Sequence, residues 1–318
     1  MILIVTNRGD YTADFLILKL QERDVKYLRF NTEDFPFDAT SSLTPLGGTV
    51  FLEKAGKRFD MSEITGVWYR RPEGPAFPPD FDPQTRDFVS RESREFLQGI
   101  WRSLDCSWVN HPDRIRVAEN KIEQLNRMKK MGFRIPETLV TNDPQAALDF
   151  YNVHGRDIIA KTLRASHGQL EGREYVIYTN SLSNEHLSLI DSVKYAPVIF
   201  QERIKKNSDI RVTVVGDCVF STEIFSQESP STSVDWRRDT LSLKHAVHNL
   251  PSHVEEACID LVHAYGLVFG ALDLIRTNSG EYVFLELNPN GQWAWIESLT
   301  GQPISRKLIE VLLRGYSC

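Results

Sequence analysis

A short apolar run near the end of the chain carries two oxygen-bearing side chains at a spacing that permits chemistry. Glu286 and Asn288 alternate with Leu285 and Leu287, and the run then breaks into a Pro-Asn-Gly loop. Side chains alternate between the two faces of a β-strand, so the Glu and Asn side chains share one face and the leucines the other. Carboxylate and amide oxygens suit a hard cation such as Mg²⁺. A solvent-facing or turn-capping pair has the same spacing, so both interpretations stay open here.

A third oxygen ligand comes from the preceding strand. Asp273 is separated from Glu286 by the turn sequence Asn278-Ser279-Gly280, which predicts a hairpin. Antiparallel pairing would set Asp273 beside Glu286 and Asn288. Two carboxylates and one amide offer only oxygen donors, which suits Mg²⁺ sharing its other positions with water and nucleotide phosphates.

Residues upstream could hold such a nucleotide. Lys161 ends an apolar strand before a glycine-bearing loop, where an ammonium group can meet phosphate while backbone N–H groups line the other side. Lys121, near the start of a helix, is a second candidate. Gln201 and Glu202 end a strand whose free backbone groups could meet an adenine edge. Taken singly, each of these residues also fits an ordinary surface or strand-end role.

Composition limits the classes of function. Hydrophobic residues make up 41% of the 318 residues and charged residues 25%, which is typical of a globular protein with several subdomains. The net charge of −6 argues against a general nucleic-acid binder. The four cysteines form no CxxC pair and fit a reducing compartment. No apolar stretch is long enough to cross a membrane and no signal peptide is evident, so we expect a cytoplasmic protein.

The predicted elements divide the chain into three parts. Strand, helix and strand at 2–30 indicate a small α/β domain with a parallel sheet, which a strand at 108–110 closes. The middle part holds a lysine-rich helix at 118–131, a strand ending at Lys161 and a loop at 164–173. The last part holds strands at 210–215, 218–225, 268–276 and 282–288, and a helix at 252–265 that a capping box at Ser252 introduces.

The polar residues of the last two parts occur in an order that resembles the ATP-grasp superfamily, and most closely its ribosomal-protein-S6 glutamate-ligase-like branch. In chain order they are Lys121, Lys161, Gln201-Glu202-Arg203-Ile204, Asp209-Ile210-Arg211, Asp273 and Glu286-Leu287-Asn288. Two stretches further resemble the graspetide (microviridin-type) peptide ligases: Trp68-Tyr69-Arg70-Arg71 and Asn288-Pro289-Asn290-Gly291-Gln292-Trp293. Other ATP-grasp carboxylate–amine ligases usually follow the metal-binding asparagine with a Ser-Pro-Gly-like loop. D-alanine–D-alanine ligases carry an arginine where this chain has Ala271. Both departures disfavour a dipeptide ligase.

The resemblance implies an ATP-grasp fold of the mixed α/β (α+β) class. An N-terminal pre-ATP-grasp α/β domain (1–109) would precede a central subdomain (110–200) and a C-terminal subdomain with the magnesium site (201–318). The last two would be α+β subdomains that enclose an ATP cleft.

The resemblance also implies roles for individual residues. Those that would bind ATP are Lys121 and Lys161 at the phosphates, Ser166 and Gly168 in a lid, Gln201, Glu202 and Ile204 at adenine, and Asp209 near the ribose. Those that would bind Mg²⁺ are Asp273, Glu286 and Asn288. Arg211 and Lys161 would be catalytic, with Arg211 reaching the transferred phosphoryl group or the activated carboxylate. The arginines assigned to acidic substrate side chains are Arg70, Arg71, Arg237 and Arg238, and Asp235 is assigned to substrate binding beside them.

The implied reaction is ATP-dependent activation of a carboxylate as an acyl phosphate, which a hydroxyl or amine then attacks. The implied partner is a ribosomal precursor peptide with a leader segment and a core of Thr, Ser or Lys with Asp or Glu, and the linked side chains would close macrocycles. A homodimer is common among similar enzymes, whereas nucleic acid and membrane partners are not expected. Two alternatives remain: a ligase appending an amino acid to a protein or small-molecule carboxylate, and a nucleotide-binding regulator without catalysis.

Overall fold

The computed structural model describes residues 1–43, 51–164, 166–170 and 173–316. Its N-terminal part contains, in order, β1 (Ile2–Thr6), α1 (Tyr11–Gln21), β2 (Tyr27–Asn31), β3 (Ala39–Ser42), β4 (Phe51–Lys54), β5 (Lys57–Asp60), β6 (Gly66–Tyr69), α2 (Pro83–Ser103) and β7 (Ser107–Val109). A parallel sheet runs in the order β2-β1-β6-β7, and β3, β4 and β5 form a small antiparallel sheet. The parallel sheet predicted from the strand–helix–strand opening is confirmed. The first strand of the hairpin expected at 49–52 lies partly outside the described residues.

Aspartate side chains fix where the two helices of this part begin. Asp10 accepts the backbone N–H of Thr12 at the start of α1. Asp82 accepts the N–H of Thr85 at the start of α2, whose first residue is Pro83. Both are N-cap bonds that satisfy backbone donors otherwise left without a partner. Asp10 has a second role in the site described below.

The lysine-rich helix expected at 118–131 is α4 (Lys121–Lys130), and a separate helix that was not expected, α3 (Pro112–Ala118), precedes it. The break falls at Asn120, whose side chain accepts the backbone N–H groups of Ile122 and Glu123 and so begins α4. Asparagine favours such a cap over a helix interior because its side chain competes for backbone hydrogen bonds. Lys121 is therefore the first residue of a helix.

The central part contains β8 (Thr138–Thr141), α5 (Pro144–Val153), β9 (Ile158–Lys161), β10 (Ser166–Leu170), β11 (Arg173–Ile177), β12 (Asn180–Ser181), α6 (Asn184–Ser188) and β13 (Val198–Glu202). One sheet runs in the order β12-β9-β13-β8, and β10 and β11 form a separate antiparallel hairpin. The loop expected at 164–173 is therefore wrong over β10, because pairing with β11 stabilises a polar segment that shows no apolar alternation. The boundary expected between 200 and 201 lies inside β13, so we propose that it follows this strand.

The C-terminal part contains β14 (Lys206–Val215), β15 (Cys218–Ile224), β16 (His245–Val247), α7 (Ser252–Ala264), β17 (Phe269–Thr277), β18 (Tyr282–Asn288), α8 (Ala294–Thr300) and α9 (Ile304–Arg314). The five strands form an antiparallel sheet in the order β16-β15-β14-β17-β18. The capping box expected at Ser252 is wrong: Pro251 is the N-cap of α7 and no side chain caps it. Helix α8 was not predicted from the sequence.

Both faces of the C-terminal sheet are covered. One face packs against α4 and α7 in a core that includes Leu125, Leu261 and Leu272. The other face packs against α8, α9 and the N-terminal sheet in a second core. Strand β6 approaches α9 so closely that a Cβ at Gly66 would lie 2.3 Å from the carbonyl oxygen of Leu312. This shared core fixes the N-terminal domain against the sheet that carries the expected metal ligands.

Among the described residues, no helix combines the length and apolar character needed to cross a membrane.

Candidate active site

Two carboxylates face each other across the hairpin of β17 and β18. Asp273 pairs with Glu286 in antiparallel register, and the neighbouring pair joins Ala271 to Asn288. Alternate residues of a strand share a face, so the three expected metal ligands lie on one face of the sheet. The turn at 278–280 predicts this hairpin, and antiparallel pairing sets Asp273 beside Glu286 as expected.

A β-bulge adjoins this pair. The register shifts after Asp273, so that Leu274 pairs with Phe284 and Leu285 has no opposite residue. A bulge sets two consecutive residues opposite one, and it breaks the strict alternation of faces. Leu285 accordingly lines the same cavity as Glu286. The expectation that Leu285 lies on the opposite face is wrong for this reason.

Cationic side chains surround the two carboxylates. Lys121 Nζ lies 3.2 Å from Glu286 Oε2, and Arg237 Nη1 lies 3.8 Å from Glu286 Oε1. Arg211 Nη1 donates to Asp273 Oδ1 at 2.9 Å. Burial opposes ionisation of both acids. The nearby lysines nevertheless hold the pKa of Glu286 well below its usual range, whereas burial raises the pKa of Asp273 despite Arg211.

Lys161 is the last residue of β9 and adds a further positive charge to this end of the site. Burial lowers the pKa of its ammonium group to about 8, although Glu286 acts in the opposite direction. Lys121 Nζ also donates to the carbonyl of Thr162 at 3.2 Å, which holds it beside the end of the same strand. More cations than carboxylates meet here, so the site favours a multiply charged anion.

A cleft with an empty volume of about 720 Å³ extends from this charged end. The expected site residues that line it are Lys161, Gln201, Glu202, Ile204, Asp209, Asp235, Arg237, Asp273 and Glu286. Lining residues that sequence reasoning missed include Ile159, Thr179, Lys206, Val234, Trp236 and Ile275. Trp236 stands inside the Asp-Trp-Arg motif and Ile159 lies two residues before Lys161, so strand alternation could have indicated Ile159.

The far end of the cleft lies at the end of β13. Gln201 is fully buried; its Nε2 donates to Thr138 Oγ1 at 2.9 Å, while its Oε1 has no hydrogen-bond partner among the described residues. Ile204 contributes an apolar wall. Glu202 is less available than expected, because its N–H donates to the carbonyl of Glu137 and its Oε1 accepts the N–H of the same residue. A buried acceptor without a partner is a candidate contact for a ligand N–H group.

Asp209, expected near the ribose, is tied to protein groups. Lys206 Nζ lies 2.7 Å from its Oδ2, and the hydroxyl of Ser226 also donates to Oδ2. Burial raises the pKa of Asp209, and Lys206 partly offsets this. The residue lines the cleft as expected. Lys206 is the cation that sequence reasoning missed, and its position three residues before the buried aspartate was its signal.

Asp235 and Arg237 form one unit. Arg237 Nε and Nη2 donate to the two oxygens of Asp235 at 2.8 and 2.7 Å, and the N–H of Thr179 donates to Oδ2 at 3.0 Å. Burial opposes ionisation of Asp235, but the bonds from Arg237 lower its pKa overall. The expectation that Asp235 binds substrate is therefore corrected, because its carboxylate is already satisfied and orients the guanidinium. Arg238 is exposed, and its Nη2 donates to Asn180 Oδ1 at 2.6 Å.

The adjacent arginines of β6 and the loop after it differ sharply. Arg70 is only 1% exposed, and it donates to Asp10 and to the carbonyls of Asn290 and Gly291. The assignment of Arg70 to substrate is wrong, because its guanidinium is enclosed and its donors are used within the protein. Arg71 is exposed, and its side chain makes no hydrogen bond or ion pair within the described ranges. Partial desolvation of the guanidinium by the surrounding protein lowers the pKa of Arg71, and the positive charges of Arg70 and Arg211 lower it further.

The lid residues Ser166 and Gly168 lie on β10, where they pair with Ile177 and Tyr175 of β11. The side chain of Ser166 lies outside the described part of the chain. Among the described strands, β10 and β11 pair only with each other, and their role as a lid stays a prediction.

The donor set suits Mg²⁺. Asp273 and Glu286 supply hard carboxylate oxygens, and Asn288 supplies an amide oxygen on the same face. Asn288 Oδ1 already accepts the N–H of Asn290 at 2.9 Å, but an amide oxygen has a second lone pair. In the described ranges, no three His, Cys, Asp or Glu side chains cluster as a metal site. Two carboxylates and one amide would not fill the coordination sphere of Mg²⁺, so they leave positions for phosphate oxygens and water.

Two family models together match nearly the whole chain. The family model of the MvdD pre-ATP-grasp domain matches residues 1–116, and that of the RimK-like ATP-grasp domain matches residues 118–312. A Glutamate–LysW ligase, ArgX of Sulfurisphaera tokodaii, is 24% identical over 236 residues, which are 72% of this chain and 80% of that protein.

Two solved structures match over nearly the whole length. A RiPP-associated ATP-grasp ligase of Chryseobacterium gregarium, in complex with ADP and a leader and core peptide, is 32% identical, with a TM-score of 0.90 over 99% of this chain and 97% of that chain. The macrocyclase MdnC of Microcystis aeruginosa MRC, bound with precursor peptide MdnA, is 29% identical, with a TM-score of 0.89 over 98% of this chain and 99% of that chain.

The expected ATP-grasp fold and the resemblance to graspetide ligases are thus confirmed. The chain is an ATP-grasp ligase that belongs to the RimK-like ATP-grasp family, in the form that carries an MvdD pre-ATP-grasp domain.

Proposed function

We propose that this protein phosphorylates acidic side chains of a ribosomal precursor peptide with ATP and joins them to hydroxyl or amine side chains, forming macrocyclic ω-ester or ω-amide links. The observation that carries the proposal is the cleft, whose charged end sets Lys121, Lys161 and Arg211 around two carboxylates. The full-length similarity to peptide-bound ligases supports the choice of a peptide over a free amino acid.

The reaction has two steps. A substrate carboxylate oxygen attacks the γ-phosphorus of ATP, the bond to the bridging oxygen breaks, and an acyl phosphate and ADP result. A hydroxyl or amine then attacks the acyl carbon, phosphate leaves, and the proton of the attacking group passes to phosphate or solvent. Both steps place negative charge on phosphoryl oxygens and on a tetrahedral oxyanion, which fixed cations in a cleft stabilise.

The chain's own residues divide this work. Lys121 and Lys161 lie where they can bind phosphoryl oxygens, and Arg211 lies next to the carboxylates, where it can bind the transferred phosphoryl group. Asp273, Glu286 and Asn288 would hold Mg²⁺. When bound, the metal neutralises phosphate charge and polarises the transferred group. The adenine ring would occupy the end lined by Gln201 and Ile204.

Two arginines are the candidates for the substrate carboxylate. Arg237 points from its buried partner Asp235 towards the charged end and is 44% exposed at the side chain. Arg71 is exposed and near enough to Arg211 for their charges to interact. An anion bound between the guanidinium groups of Arg71 and Arg211 would relieve the repulsion between them, which supports a substrate-binding role for Arg71. Arg238 lies against Tyr178 and Asn180 and makes a weaker case.

Mass spectrometry tests the proposal. The purified protein, ATP and Mg²⁺ are incubated with synthetic peptides that join a leader segment to a core of Thr, Ser or Lys with Asp or Glu. We expect one equivalent of ADP, and a loss of mass equal to one water, for each link. Omission of Mg²⁺ should abolish both. ATP consumption without any change in peptide mass would contradict the macrocyclase assignment.

The similarity to ArgX favours one second candidate, a ligase that appends an amino acid to a carboxylate. The same experiment separates the two, because appending a residue raises the mass of the acceptor. The expected leader-bearing peptide partner, a homodimer and a cytoplasmic location belong to the proposal. Size-exclusion chromatography with light scattering checks the oligomeric state.

A further inference from the structure

The loop after the metal-ligand strand is held by the N-terminal domain, residue by residue. Asn110 Nδ2 donates to the carbonyl of Pro289 at 2.9 Å. Arg70 Nη1 donates to the carbonyls of Asn290 and Gly291 at 3.0 and 3.1 Å. The hydroxyl of Thr12 bonds the side chain of Gln292. The segment 289–292 therefore takes its position from another domain.

The same loop holds the arginine at the reacting end. Arg211 Nη2 donates to the carbonyl of Gln292 at 3.3 Å, and Arg211 Nη1 donates to Asp273. A Cβ built on Gly291 would lie 2.6 Å from Arg211 Nη2, so the loop backbone and the guanidinium are in contact. Arg211 Nε is buried and has no partner among the described residues. Its orientation thus depends on few bonds, and one of them comes from this loop.

Arg70 is itself fixed. Its Nε and Nη2 bond the two oxygens of Asp10 at 3.1 and 3.2 Å, and its guanidinium lies 5.0 Å from the ring centre of Trp68. Asp10 also accepts the hydroxyl of Thr6 at 2.7 Å and caps α1. Burial opposes ionisation of Asp10, but Arg70 lowers its pKa overall. The pair is thereby charged and immobile.

A fully buried ion pair contributes little stability over apolar residues of the same volume, because desolvation offsets the attraction. The Arg70–Asp10 pair is 1% and 0% exposed at its side chains. What it supplies that apolar residues could not is a planar donor group that reaches two loop carbonyls at once. The contribution of the pair is therefore to the position of the loop carbonyls rather than to stability.

We propose that the Arg70–Asp10 pair positions Arg211 for catalysis by clamping the carbonyls of Asn290 and Gly291. Arg70 touches no reacting atom; it acts through the loop. The inference rests on the proposed function only for the role of Arg211, since the clamp itself is a matter of geometry.

The first test needs no substrate. Selective ¹⁵N-arginine labelling gives Nε–Hε signals, and loss of one signal in Arg211→Lys identifies that of Arg211. Arg70→Lys keeps the charge but cannot serve a carboxylate and two carbonyls, so the Arg211 signal should shift. Arg8→Lys is the matched control, because Arg8 pairs with Asp34 in the same domain and contacts none of 289–292. An unchanged Arg211 signal in Arg70→Lys would overturn the clamp whether or not the enzyme cyclises peptides.

The second test is kinetic and uses the synthetic leader–core peptides described above. Arg70→Lys should lower kcat about 10- to 100-fold, since small misplacements of a catalytic group cost rates of this order, and leave ATP affinity within about 2-fold. In an Arg211→Lys background, Arg70→Lys should cause no further loss of kcat, because the two residues act as one unit. Full additivity, or equal loss of ATP affinity, would assign Arg70 a merely structural role. A wild-type protein that leaves the peptide unchanged would contradict the proposed function and leave the labelling result standing.

Discussion

Gly291→Ala is the substitution that most directly tests whether the loop sets the reacting end. The added Cβ would lie 2.3 Å from the Cβ of Ala271 and 2.6 Å from Arg211 Nη2, whereas ordinary contact begins at 3.4 Å. Ala271 belongs to a buried central strand that cannot yield, so the loop must move away by about 1 Å.

A shift of about 1 Å at a catalytic group can cost about 100-fold in rate. We expect kcat for peptide dehydration to fall by this order. ATP affinity should change little, because Lys161 and Gln201 lie on other strands. Overpacking should also lower the free energy of unfolding by about 1–3 kcal/mol. Mass spectrometry of the peptide, calorimetric ATP titration and thermal unfolding measure the three quantities.

The matched control is Gly99→Ala. Gly99 lies inside α2, and a Cβ there meets nothing within 4 Å. Alanine favours a helix over glycine by about 1 kcal/mol, so this variant should be slightly more stable and fully active. Wild-type kcat in Gly291→Ala would refute the reasoning, since it would mean that the loop can move without displacing Arg211.

Three further predictions concern the charged end. Glu286→Gln should lower kcat by at least about 100-fold, because a metal ligand is lost without loss of volume. It should also lower the unfolding midpoint, because Lys121 and Lys161 hold the pKa of this carboxylate low and an amide does not replace its charge; retained activity would show that the metal assignment is wrong. Lys161 has a pKa of about 8 in the free protein and phosphate should raise it, so ATP binding should take up a proton above pH 8 and little at pH 7. Calorimetry in buffers of different ionisation enthalpy measures this uptake, and Lys161→Arg, which stays charged, should abolish it. Asp235→Asn should raise the KM for peptide about 10-fold by loosening Arg237 while ATP affinity holds, and Arg238→Ala should do neither; equal effects of the two substitutions on KM would contradict the distinction.

The hairpin of β17 and β18 follows from local sequence, because an apolar strand lies on each side of Asn278-Ser279-Gly280. Its register at the turn would set Asp273 opposite Leu285, however, and only the bulge at Leu285 brings Glu286 opposite Asp273. Helix starts with an aspartate cap and a proline, such as the one at Asp82, are equally local. Sequence was less able to predict the break at Asn120 and the hairpin of β10 and β11, because neither has an apolar pattern of its own.

Arg70 and Arg71 show that local sequence does not determine whether an arginine is buried or exposed. The two residues are identical in type and adjacent in the chain, and both carried the same expectation. The chain turns Arg70 inward onto Asp10 and a loop more than two hundred residues away, while Arg71 remains exposed. The burial of a guanidinium depends on which distant acceptors surround it, and a sequence window does not contain them.

The sequence by itself therefore determined the family, the hairpin that carries the carboxylates and nine of the residues that line the cleft. Only the tertiary structure decided which cations stay exposed and which are enclosed by protein groups. Asp235 became a support for Arg237, and Arg70 became a clamp on the loop beside Arg211. The physical reason is that residue type determines which side chains can carry charge. The solvation and the partners of each charge depend on distant elements that folding brings together.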